Sequence, residues 1–158
     1  MNDANEKTLL RELIAKHHFC RDLAPHHLEV LAEAAMLKEF KAGEEIFKEG
    51  DPANRFYIIQ SGELELLSEG GNGAAVSVQR IGAGDVLGWS WLFPPYYWHF
   101  AARAVTDTKA IFFYGTWLRE SCERDHDFGY VMLKRMSAIV IQRLQAARKR
   151  LVELEQRG

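Results

Sequence analysis

The side chains with chemistry to offer are six histidines, two cysteines and one run of aromatic residues between Val86 and Arg103. His17-His18 and His26-His27 are adjacent pairs. Consecutive residues do not face each other on a helix, so neither pair reads as a metal chelate and no metal is expected. His99 stands alone, and a β-roll metalloenzyme would need an H-x-H with a following Glu, which is missing. Cys20 and Cys122 are far apart and read as free, buried thiols. Ser90, in Gly88-Trp89-Ser90-Trp91, lacks the second glycine of a nucleophile elbow. Gly82-Ala83-Gly84 lacks the third glycine of a dinucleotide loop and opens no ordinary helix. With no nucleophile, metal set or cofactor loop, the chain reads as a non-enzyme.

The aromatic run is the remaining candidate. It holds Trp89, Trp91 and Trp98, three of the four tryptophans, with Phe93, Tyr96, Tyr97, Phe100 and the pair Pro94-Pro95. Proline breaks it too often for a regular helix or strand. Two uses are open. The rings of Trp89, Trp91, Phe93 and Trp98 fill the protein's own interior, or they line a pocket with Ser90, Tyr97, His99 and indole N–H groups as polar handles.

The elements that must position this run follow from periodicity. Leu9, Leu10, Leu13 and Ile14 share a face of a helix over about 5–17, and Pro25 starts a second, shorter one carrying Leu28, Val30, Leu31 and Ala34. From Met36 to Tyr114 the period changes to two, with strands expected at 36–40, 45–48, 55–60, 63–68, 75–80, 85–87, 101–105 and 109–114. Many short strands at this spacing imply a sandwich or roll. A short helix then spans about 116–122 and a long one about 126–155, in which Gly129 is a local weak point. The chain divides into helices at 1–35, a β-roll domain at 36–114 and helices at 115–158.

The long helix reaches about 45 Å, more than a small roll covers. Met136, Val140, Leu144, Ala147, Leu151 and Leu154 make an apolar stripe with one irregular step, flanked by Arg143, Arg148, Arg150, Glu153 and Glu155. That pattern predicts a homodimer through a two-chain coiled coil. With 20 basic against 22 acidic residues there is no broadly basic surface for nucleic acid. No apolar run approaches a membrane span and the charged N-terminus is no signal peptide, so a cytoplasmic protein is expected.

Three glycine-bearing segments carry a resemblance: Gly43-Glu44-Glu45-Ile46-Phe47-Lys48-Glu49-Gly50-Asp51-Pro52-Ala53, Phe56-Tyr57-Ile58-Ile59-Gln60-Ser61-Gly62-Glu63-Leu64, and Ile81-Gly82-Ala83-Gly84-Asp85-Val86-Leu87-Gly88. Over roughly 24–154 the chain resembles the cyclic-nucleotide-binding domain family, found in catabolite-activator-type bacterial regulators and kinase regulatory subunits. The resemblance implies a mainly β fold with flanking helices, a double-stranded β-helix or jelly-roll-like domain, and a long C-terminal dimerisation helix. It implies a role in regulation and signal transduction.

It also places a phosphate-binding cassette at Gly88, Trp89, Ser90, Trp91, Tyr97, Trp98, His99, Ala101 and Arg103. In that cassette the family uses a Glu on the ribose and an Arg on the cyclic phosphate. Here Trp89 stands at the first position and Trp98 at the second, where a shift of one would put Tyr97 or His99; none of these is a carboxylate or a guanidinium. Charge-assisted hydrogen bonds contribute about 1.5–3 kcal/mol each, so losing both weakens cyclic nucleotide binding at least about a hundredfold. No cofactor is expected, and cAMP or cGMP stays open only as a weak ligand. Arg103 alternates with Ala102 and Ala104, and which of these faces inward is open. The transcription-factor branch follows this helix with a helix-turn-helix; none is seen here, so no direct contact with nucleic acid is expected. Output would pass to a separate partner protein. The alternatives are a genuine sensor of a cyclic nucleotide or another small molecule and, in a different class, a cupin-like β-roll enzyme.

Overall fold

The structure, a computed structural model, describes residues 3–157. Helix α1 (Asp3–Lys16), a 3-10 turn (His18–Cys20) and helix α2 (Pro25–Glu33) precede eight strands: β1 (Ala35–Phe40), β2 (Glu45–Phe47), β3 (Arg55–Ser61), β4 (Glu63–Glu69), β5 (Ala75–Gly82), β6 (Val86–Leu87), β7 (Ala101–Ala104) and β8 (Thr108–Tyr114). Helices α3 (Gly115–Arg124) and α4 (His126–Arg157) follow. The strands form two antiparallel four-stranded sheets, ordered β1-β8-β3-β6 and β2-β7-β4-β5. The expected mainly β roll with flanking helices is the fold that forms.

Strand β3 shows why the roll holds together. Phe56 and Ile58 face the helices, while Tyr57 and Ile59 face the other sheet. Both faces of the strand are therefore buried, and it reads as an unbroken apolar run rather than an alternation. Two cores result. One lies inside the roll, around Phe47, Tyr57, Leu64, Leu66, Trp98 and Ala102. The other lies between the first sheet and the helices, where Ile14, Leu31, Phe128, Met132 and Met136 pack on Phe56 and Phe113.

Helix α4 contributes to this second core through Phe128, Met132, Met136 and Ile139, spaced four, four and three residues apart. Met136 is fully buried against its own domain. It is not a seam residue, and the irregular step in the sequence stripe marks the change from one face to another. A second stripe lies about 100° around the helix: Val140 is half-buried, Ala147 is exposed, and Leu144, Leu151 and Leu154 are exposed large apolar residues. Arg143 does not flank this stripe as expected; it donates to the Val86 carbonyl at 2.6 Å. Leu9 also departs from its expected face and is exposed. Gly129 is a point of close approach rather than of weakness, since a Cβ there would meet the Cys122 carbonyl oxygen at 2.8 Å.

His17 ties the end of α1 to the roll. Its Nε2 lies 2.9 Å from the Ile59 carbonyl, and its Nδ1 accepts the Phe19 N–H at 3.1 Å. The neutral ring with its proton on Nε2 satisfies both contacts, and burial lowers the pKa below the ordinary 6.5. The unfolded chain thus binds this proton more readily than the folded one. The stabilisation is complete above about pH 6.5 and is lost as pH falls through the depressed folded value. The difference in melting temperature between the native protein and His17→Gln is expected to shrink from pH 7.5 to pH 5. A constant difference would mean that His17 does not titrate with unfolding.

The two cysteines are free. Burial pushes the Cys20 thiol up to about 12 and, with the carboxylates of Glu123 and Asp125, the Cys122 thiol up to about 11. Neither is a thiolate nucleophile at neutral pH.

Candidate functional site

The cassette leaves β6 through Gly88, at φ +94°. A Cβ at Gly88 would lie 2.8 Å from Trp98 Cζ3, so both the backbone conformation and the indole require glycine. Residues 89–93 then make a single turn, with Leu92 N–H donating to the Trp89 carbonyl and Phe93 N–H to the Ser90 carbonyl. After Pro94-Pro95 the chain returns along the segment before β3: Ala53 N–H donates to the Tyr96 carbonyl (2.7 Å), Trp98 N–H to the Asp51 carbonyl (3.0 Å) and Gly50 N–H to the Trp98 carbonyl (2.9 Å).

This path sends the rings to three different places. Trp98 enters the roll, where its indole stacks on Phe47 at 3.8 Å and 6°, under the Arg55 guanidinium at 5.7 Å. Trp91 enters the helical core and stacks on Phe56 at 5.0 Å. Trp89 and Phe93 turn outward and line an apolar hollow with Ser137, Val140 and Ile141 of α4. Neither of the two expected uses holds for all four rings: Trp98 occupies the roll interior, Trp91 the helical core, and Trp89 and Phe93 line the hollow against α4. Buried indole N–H groups of Trp89, Trp91 and Trp98 have no hydrogen-bond partner within the described residues.

The polar handles do not converge either. Ser90 is fully buried and its Oγ lies 3.0 Å from His99 Nδ1, while Trp89 stacks on the His99 ring at 4.7 Å. Only the serine of this pair is buried; the His99 ring is exposed beside the Trp89 indole. Tyr97 is exposed, and Ala101 is half-buried at the start of β7. The open question around Arg103 resolves by strand alternation: Ala102 and Ala104 face inward, while Arg103 faces solvent and pairs with buried Glu65 across the sheet. Its side chain therefore lies on the sheet face opposite the roll interior.

Three arginines fasten the helices to this region: Arg119 and Arg135, which sequence reasoning missed, and Arg143, which it placed beside the helix seam. Arg119 of α3 donates to the Trp91 carbonyl at 2.6 Å and lies 4.2 Å over the Tyr96 ring. Arg143 of α4 holds the carbonyl of Val86, two residues before Gly88, and Arg135 of α4 holds that of Phe19. Each sits on a helix with many other charges, so no local signal separates it from a solvated arginine. The base of the cassette is thus linked by one direct hydrogen bond, from Arg143, to the helix that carries the exposed apolar stripe.

A β-roll with this topology, a glycine-led cassette after β6 and a long helix behind it define a ligand-sensing regulatory domain. The chain belongs to the family of cyclic nucleotide-binding domains, whose model matches residues 37–125. It is 41% identical over 66 residues to the cAMP-dependent protein kinase regulatory subunit of Emericella nidulans, covering 42% of this chain and 15% of that protein. It is 25% identical over 100 residues to the CRP-like cAMP-activated global transcriptional regulator of Mycobacterium tuberculosis, covering 63% of this chain and 45% of that one. The chain therefore spans less than half the length of these curated relatives. Among solved structures, a candidate cyclic nucleotide-binding protein from Geobacter metallireducens GS-15 superposes with a TM-score of 0.77 and 28% identity, over 85% of this chain and 97% of that chain. Among the described residues no helix is long and apolar enough to cross a membrane.

Proposed function

We propose that this domain is a regulatory module whose cassette is rebuilt around tryptophan, that binds cAMP and cGMP weakly or not at all, and that acts through α4 rather than by catalysis. The observation that carries this reading is Trp98. It takes the position of the family's phosphate arginine and stacks inside the roll on Phe47, leaving no guanidinium facing a cyclic phosphate from the cassette. Trp89, at the position of the ribose glutamate, is turned toward α4 instead. A bidentate arginine and a carboxylate each contribute about 1.5–3 kcal/mol, so the deficit is at least about a hundredfold in affinity. Calorimetry with cAMP and cGMP is expected to give no saturable binding in the micromolar range. A Kd below about 10 µM, near −7 kcal/mol, would require a replacement cation and overturn the reading.

The second half of the reading concerns output. Val140, Leu144, Ala147, Leu151 and Leu154 pair α4 with the same helix of a second copy, making a homodimer. The linkage from Val86 through Arg143 into α4 supports this helix as the route by which a change at the cassette reaches a separate partner protein. The apolar hollow of Trp89 and Phe93 continues the stripe toward the roll.

A further inference from the structure

The geometry points to a binding site for a zinc-class divalent ion where α2 meets the start of α4. His26 and His27 occupy the first turn of α2, and Asp127 the first turn of α4. One ligand atom of each residue lies within 4.8 Å of the others. Consecutive residues on a helix diverge, yet these two rings come within 4.0 Å because both lean toward the acidic joint between α3 and α4. Adjacency in sequence thus leaves the ligand atoms of this pair close enough to share one ion.

The second observation is the state of His27. Its side chain is 4% exposed, and its Nε2 has no hydrogen-bond partner. Asp127 Oδ2 is 3.3 Å away, an ion-pair distance without the alignment of a hydrogen bond. Zn–N and Zn–O bonds of about 2.0–2.2 Å set tetrahedral ligand atoms roughly 3.3–3.5 Å apart. The His27–Asp127 separation already has that value. Only exposed His26 must close in, and its side chain is free to rotate toward the others. Asp125 supplies a further carboxylate, with Oδ2 3.9 Å from His26 Nε2 and Oδ1 capping α4 through the Phe128 N–H. Two neutral imidazoles, one carboxylate and water complete a common zinc coordination, and the ion would pin the N-terminal helices to the root of α4. This proposal stands independently of what the cassette binds.

The test is calorimetric titration of the metal-stripped chain with ZnCl2, with Co2+ absorption as a second readout. One ion per chain and visible bands of a tetrahedral Co2+ centre are expected. His26→Ala and Asp127→Asn, both at exposed positions that leave the core intact, should each weaken binding at least about tenfold, and Asp125→Asn by roughly ten- to a hundredfold as a supporting carboxylate. Zn2+ should raise the melting temperature of the native chain and not that of Asp127→Asn. Absence of stoichiometric binding, or binding that survives both His26→Ala and Asp127→Asn, would overturn the site.

Discussion

Replacing Leu144 and Leu151 together by Asp is expected to convert a dimer into a monomer, read by light scattering. In the isolated chain these side chains are 63% and 62% exposed, so the substitutions leave the fold of each protomer intact. In a paired seam they are buried, and a dimer then holds four carboxylates with no partner. An uncompensated buried charge costs about 3–5 kcal/mol. A nanomolar dimer is held by about 12 kcal/mol, so four such charges exceed it. The stripe explains why pairing is favourable in the first place. Val140, Leu144, Ala147, Leu151 and Leu154 step by four and three residues, the heptad rhythm of a two-chain coil. Their burial contributes roughly 25 cal/mol per Å² of apolar surface. Circular dichroism should be unchanged in the double variant apart from fraying at the end of α4. A native protein that is monomeric at micromolar concentration, or a double variant that stays dimeric, would refute the interface.

The same helix shows what a sequence can and cannot reveal. Its length and its heptad rhythm were legible, because periodicity records that a face is apolar. Periodicity does not record which surface covers the face. Met136 belongs to the domain's own core and Leu144 to the exposed stripe, and both are equally good apolar residues at helical spacing. The strands were legible to within two residues, since turn glycines such as Gly62 and Gly73 interrupt them and β-branched and aromatic residues fill them. The family frame was legible through its glycines, since turns at positive φ such as those at Gly43, Gly62, Gly84 and Gly88 favour that residue.

The cassette was legible only as an anomaly. Its rings go to the roll, the helical core and the α4 surface, and nothing about an indole states its direction. Between Gly88 and Ala101 there is no period to read. Tertiary hydrogen bonds from the segment at 50–53 set the path instead. Alternation on β7 did carry information: it limited Arg103 to the face opposite Ala102 and Ala104, and the cross-strand partner Glu65 decides which face that is. The surroundings of the histidines were not legible either. His26 and His27 are helix neighbours, yet their rings lie 4.0 Å apart and the start of α4 sets Asp125 beside one and Asp127 beside the other.

Trp98→Ala is expected to destabilise the domain by about 3–5 kcal/mol, the range for emptying a buried aromatic site. That is a large share of the roughly 5–15 kcal/mol that holds a domain of this size together. The indole is 2% exposed, stacked on Phe47 and pressed against Gly88, so its removal leaves a cavity inside the roll. Its Nε1 has no partner, so the loss is one of packing and not of a hydrogen bond. Trp98→Phe keeps a ring against Phe47 and removes an unsatisfied donor, and it should cost well under half as much. Arg55 sharpens the contrast, because its guanidinium lies over the Trp98, Phe47 and Tyr57 rings while donating to Tyr57 Oη and the Ile46 carbonyl. Without the indole that cation faces an empty space lined by the roll. Urea denaturation of the three proteins gives the ranking directly. If Trp98→Ala were as stable as the native protein to within about 1 kcal/mol, the indole would not be a core residue. The roll would then have an open interior, and the case for a cassette closed by tryptophan would fall with it.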